Sequence, residues 1–285
     1  MTALHVTRWT LQEALRRRLL LGLLLLSVAF VALFALGFVL LYRQVEEASG
    51  GDRFGAVIAA NILTVLGLYA VQFLGAFLAL FLSVGAISAD ADSGMLHAVL
   101  GRPLSRWQYL IGRWLAFAGL LAGYVLAMSG LLLLTARLVA GYDPVDPVRA
   151  GALLVLEMLV LLTVGVLGST VLPTLANGVV TFSLFGVAWL GGIVAFIGTA
   201  VSNAAMANLG TAAGLLLPSD ALWRGASYYF QSASFLSETS AIGEFSGGVP
   251  FAGSSPPRLA LLVWVLGYLL VAHLLARVAF ARRDL

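Results

Sequence analysis

Six apolar runs, at 19–42, 54–87, 109–140, 150–172, 178–200 and 259–280, take up most of this sequence. Each reaches the roughly 20 residues that an α-helix needs to cross the hydrocarbon core of a bilayer. A backbone in lipid has no water to bond to, so runs of this length fold as helices with internal hydrogen bonds. Composition agrees, because 61% of the residues are hydrophobic and only 10% charged, whereas soluble domains hold about half and about a quarter. The chain is therefore expected to be all-α, a polytopic membrane protein with six transmembrane helices in one domain over 1–285.

The charges set the orientation. Every one of the sixteen basic residues is arginine, and Arg8, Arg16, Arg17 and Arg18 precede the first run, which places its start in the cytoplasm. Because these arginines come late and the run after them is long enough to span, the amino terminus reads as a retained span and not as a cleaved signal. Six spans then put both termini on the cytoplasmic side of the cell's inner membrane. That side collects Arg8, Arg16, Arg17, Arg18, Arg102, Arg106, Arg113, Arg277, Arg282 and Arg283, and the outside keeps Arg43, Arg53, Arg137, Arg149, Arg224 and Arg258. The excess inside agrees with the assignment.

Segments between the runs carry their own signals. Residues 5–18 place Val6, Trp9, Leu11 and Leu15 among charges, as in a helix lying at the membrane surface, unless they are a simple basic flank. Pro144 and Pro147 make 141–149 a turn, and 173–177 is long enough only for a reversal. Residues 201–257 are semi-apolar. Pro218, Ser219 and Asp220 form a helix start, and Leu222, Trp223, Tyr228, Tyr229 and Phe230 follow with interfacial aromatics. We expect short re-entrant helices there on the outer side, before the sixth span.

Several chemistries are excluded. The chain has no cysteine, hence no disulfide, thiolate metal site or cysteine nucleophile. Without lysine there is no phosphate-binding P-loop. His5, His97 and His273 are scattered without metal-ligand spacing, and no arginine cluster is interleaved with aromatics as nucleic-acid binding requires. No catalytic, metal or cofactor residue is expected. Glu157 is the single acid inside a span, which makes it a functional candidate. Otherwise it is a structural partner of Arg137 or Arg149, or a hydrogen-bonding group inside the bundle. Asn61, Gln72, Asn177 and His273 read as interhelical hydrogen-bonders. Gly67, Gly75, Gly186, Gly191 and Gly192 permit close helix approach, from which a dimer is expected.

The polar interruption at 88–106 is the segment that remains to be explained. Asp90 and Asp92 open it, Gly94 is tolerated within a helix, and Met95, Leu96, Val99 and Leu100 pair at i, i+4 on one stripe. Pro103 stops the pattern, Ser105 can cap the next helix, and Arg106 follows. This is a short amphipathic helix outside the lipid, shaped to lie against something, with the two acids as rim charges.

In this segment the sequence resembles the membrane subunits of type-2 ATP-binding-cassette exporters. Their pattern is an acid-rich turn, Gly-Thr-Leu-Glu, a leucine pair, Pro-Val-Ser-Arg and Gly-Lys. Here stand Asp90, Asp92, Gly94, Met95, Leu96, Pro103, Leu104, Ser105, Arg106, Gly112 and Arg113, with Met95 and His97 departing from it. The ending from Phe280 to Leu285 and the stretch from Leu217 to Arg224 are also similar to that family, above all to the branch with the permease for nitrous oxide reductase maturation. The resemblance implies a permease, homodimeric or paired with a related subunit, on two copies of a separate ATPase. ATP and Mg would be bound by the ATPase, and 88–106 would be the coupling helix docking in its cleft. Other readings of the residues are a membrane anchor or assembly factor without transport, and an ion-coupled carrier.

Overall fold

The computed structural model describes residues 3–16, 18–48, 53–92, 94, 105–242 and 251–283. Six of its helices are long and apolar enough to cross a membrane. In chain order the elements are α1 (Ala3–Arg16), α2 (Arg18–Ala48), α3 (Arg53–Ser83), α4 (Ser88–Asp92), α5 (Arg106–Ala140), α6 (Pro147–Val171), α7 (Thr174–Ala200), α8 (Ala204–Leu216), α9 (Ser219–Phe230), α10 (Ala233–Ile242) and α11 (Leu259–Arg282). No strand forms among the described residues, only a single bridge between Pro144 and Ser232. The chain is an all-α polytopic membrane protein.

Helix ends follow local chemistry. Ser105 caps α5 in a reciprocal box, with Gln108 N donating to Ser105 Oγ over 3.2 Å and Ser105 N donating to Gln108 Oε1 over 3.1 Å, as its sequence position led us to expect. Asp146 caps α6, where Pro147 takes the first turn that needs no N–H. The first span is longer than its apolar run because the helix continues through Tyr42 to Ala48.

The most central span is α6, with Leu154, Met158, Val160, Leu161 and Leu162 fully enclosed. It packs against α3, α5, α7, α9 and α11. The outermost is α2, whose Leu25, Val28 and Leu33 stay exposed while Phe30, Phe34, Phe38 and Tyr42 form an i, i+4 aromatic ladder along one face. α1 buries Val6, Thr10 and Ala14 on one stripe; of the apolar residues read from the sequence Val6 is on it, while Trp9 and Leu11 are exposed. Between α7 and α11, where short helices are expected, the described residues form three, α8, α9 and α10. α8 folds back on α7, and α9 sinks Leu222, Trp223 and Phe230 against the bundle.

Four of the five glycines read as allowing a dimer are used inside the chain. Gly67 faces Phe34, Gly75 faces Val125 and Met158, Gly191 faces Ala213, and Gly192 faces the Asp220 carboxylate; Gly186 alone of the five meets open space. Their small size serves the chain's own helix packing, so they no longer argue for a second copy.

Candidate functional site

The ends of α3 and α6 and the beginnings of α5 and α7 meet at one end of the bundle. Ser88 and Thr174 hydroxyls are 2.8 Å apart. Asn177 Nδ2 donates to the carbonyls of Val84 (2.9 Å) and Gly165 (2.8 Å), as expected of an interhelical hydrogen-bonder. From this end the chain leaves at 88 and returns at 106.

The leaving strand of this segment is tied by a buried ion pair. Asp90 is 5% exposed and Arg113 1% exposed. The Arg113 guanidinium pairs with the Asp90 carboxylate, which also accepts from the Tyr109 hydroxyl. Arg113 donates in addition to Ala86 O (2.8 Å), to Tyr109 Oη (3.0 Å) and to Glu13 of α1 (3.2 Å), and its guanidinium lies over the rings of Tyr109 and Phe117. One side chain of α5 thereby holds the end of α3, α4 and the surface helix α1 together. α1 reaches it because Gly112 has no side chain: a Cβ there would meet Val6 and the carbonyl of Ala3 at 2.8 Å, and Thr7 Oγ1 donates to Gly112 O over 3.0 Å.

The placement of Asp90 differs from the rim charge expected above. Residues two apart on a helix point to different sides, so while Asp92 is exposed, Asp90 turns inward to Arg113. Gly94 differs too. It adopts φ +70 and donates its N–H to Ala91 O at 3.1 Å, which is the left-handed closure of α4 and not a helix interior. Met95, Leu96, Val99, Leu100 and Pro103 lie outside the described residues.

The returning strand is tied through Arg106. Its Nη1 lies 2.8 Å from Phe280 O, 3.0 Å from Ala281 O and 2.9 Å from Arg283 O, the carbonyls left over at the end of α11. Arg283 repeats the arrangement on α6, donating to Ser169 O (3.0 Å) and Thr170 O (3.4 Å). A guanidinium at a helix C-terminus supplies both the missing donors and a charge opposite to the helix dipole. Arg106→Gln is expected to cost about 1–2 kcal/mol, read as a lower thermal midpoint in detergent, with faster proteolysis of the C-terminal residues.

Glu157 sits elsewhere, fully buried midway along α6. Gln72 Nε2 donates to its Oε1 over 2.7 Å, which is the bundle-internal alternative and also the interhelical role expected of Gln72. Arg149 is about 12 Å away along the helix axis, at the first turn, where it pairs with Asp146 (3.2 Å). Asn61 bonds to a loop and not to a helix, accepting from Tyr142 Oη (2.9 Å) and Ser232 N (3.1 Å). His273 bonds within its own helix at Leu269 O (2.8 Å) and meets α5 through the edge of Trp114.

Sequence reasoning missed the joint role of Glu13, Tyr109 and Arg113. The available signal was an arginine inside the third apolar run, which a bilayer tolerates only when paired.

A family match to the ABC-2 family transporter proteins spans residues 10–285. The chain belongs to the ABC-2 transporter family. It is an ABC transporter membrane subunit. No curated protein matches the chain.

Proposed function

We propose that this subunit exports a solute, that it works as a pair with a second copy or a related permease, and that two ATPase subunits dock on the 88–106 segment. The observation that supports this reading is the anchoring of that segment at both ends. A force applied between 90 and 106 passes through Asp90 and Arg113 to α1, α3 and α5, and through Arg106 and Arg283 to α11 and α6. A loop that merely joined two spans would need no such connection. Met95, Leu96, Val99 and Leu100 would supply the apolar ridge that enters the ATPase cleft, with Asp92 at its rim. ATP and Mg would be held by the ATPase, and this chain contributes no catalytic group of its own.

The reading requires 88–106 and both termini to face the cytoplasm. Single cysteines placed at positions 102, 143, 244 and 283 of this cysteine-free chain test it with a membrane-impermeant maleimide on intact cells. Positions 143 and 244 are expected to label from outside, and 102 and 283 only after permeabilisation. External labelling at 102 would overturn the orientation.

A further inference from the structure

At the end of the bundle opposite 88–106, the ends of α2 and α5 and the beginnings of α3 and α10 surround a pocket of about 360 Å³. Its size lies at the lower end of small-molecule sites, which start at roughly 300 Å³. The pocket exists because its walls are small: Ala56 and Ala60 on α3, Ala140 and Gly141 at the end of α5. Its base is preformed. Tyr142 is buried, and its hydroxyl donates to Asn61 Oδ1 (2.9 Å) or to Phe230 O (2.9 Å). Burial pushes the Tyr142 phenol well above its usual range, so it remains a donor. Val145 N donates to Gln231 O (2.9 Å), and Asp146 N to Tyr229 O (3.1 Å). These bonds fix the turn after α5 against the turn between α9 and α10.

Into this rigid base the chain sets one cation and one anion, Arg53 and Asp143. Both line the pocket, both are exposed, and among the described residues neither takes part in an ion pair. Opposite charges facing one cavity without meeting each other leave each free to meet a ligand. A ligand with a single charge is attracted by one of them and repelled by the other, so the pair selects against simple anions and simple cations. A guanidinium matches the planar fork of a carboxylate or phosphate. A carboxylate matches an ammonium group, and Tyr42 and Ser234 add hydroxyls.

We propose that this pocket is a binding site for a small zwitterion, with its anionic group on Arg53 and its ammonium on Asp143. Two sources share that chemistry. One is a free amino-phosphate or amino-acid solute, and the other is the phosphoethanolamine headgroup of a lipid, since the pocket opens at the ends of the apolar helices α2 and α3.

The test uses the full-length chain purified in detergent, titrated calorimetrically with O-phosphoethanolamine. The wild type is expected to bind it, and to bind ethanolamine or inorganic phosphate alone on the order of tenfold more weakly or worse. Arg53→Gln and Asp143→Asn should each weaken binding by a similar factor, and Ala56→Phe should abolish it by filling the space. A second arm places the same proteins in nanodiscs of mixed phosphatidylethanolamine and phosphatidylglycerol and measures the retained lipid by native mass spectrometry. Retention of phosphatidylethanolamine by the wild type and its loss in the two charge variants would assign the site to the lipid. Soluble binding with unselective lipid retention would assign it to a free solute. The proposal is overturned if the wild type binds no phosphoethanolamine at millimolar concentration and retains no preferred lipid, or if the variants match the wild type in both arms.

Discussion

Arg113→Gln should be among the most damaging single substitutions in this chain, lowering stability by about 3–5 kcal/mol. The guanidinium is 1% exposed, and removing it takes the Arg113 charge away from the buried Asp90 carboxylate. It also removes the donors to Ala86 O and Tyr109 Oη and the link to Glu13. Asp90→Asn should be less harmful, because the buried arginine loses the Asp90 carboxylate but keeps Glu13 at 3.2 Å. The double variant Asp90→Asn with Arg113→Gln should recover part of the loss, since both charges are gone together. Asp92→Asn, on the exposed side of the same short helix, should leave the midpoint unchanged. Thermal unfolding of the four proteins in detergent measures this. A single Arg113→Gln protein as stable as the wild type would show that the cluster carries no weight in the fold.

The contrast between Asp90 and Asp92 also shows what a sequence can disclose. The six spans are legible because membrane crossing depends on apolar length, a property of each run by itself. The Ser105 cap is legible because its partner, Gln108, is three residues away. Asp90 and Arg113 are in different helices on either side of residues 95–104, and no periodicity within either helix announces the pair. Glu157 was visible as an acid in an apolar run, yet its partner Gln72 is 85 residues earlier and could not be chosen over Arg137 or Arg149 by composition. Gly94 was misplaced for a subtler reason. A glycine among helix formers is compatible with helix interior and with helix end, and only the backbone angle, φ +70, decides. Arg106 was assigned from its motif alone. Its contacts on the last turn of α11 depend on where the sixth span ends in space.

In the function proposed for this subunit, force generated by a separate ATPase enters through the 88–106 segment. In the pattern of the sequence, Leu96 would fall in the middle of an apolar stripe of Met95, Leu96, Val99 and Leu100. Aspartate there would place a charge at the centre of a desolvated contact, at a cost of about 2–4 kcal/mol in binding, or roughly 30- to 1,000-fold in affinity. The six spans and the Asp90–Arg113 cluster would be unaffected, because the substitution lies outside both. Asp92→Asn at the rim should change association only mildly. The direct measurement is the amount of ATPase that copurifies with Leu96→Asp, and its ATP turnover, at membrane expression matched to the wild type. Both are expected to fall to background while the subunit itself remains folded in the membrane. ATPase retention and turnover at the wild-type level would contradict the proposed function.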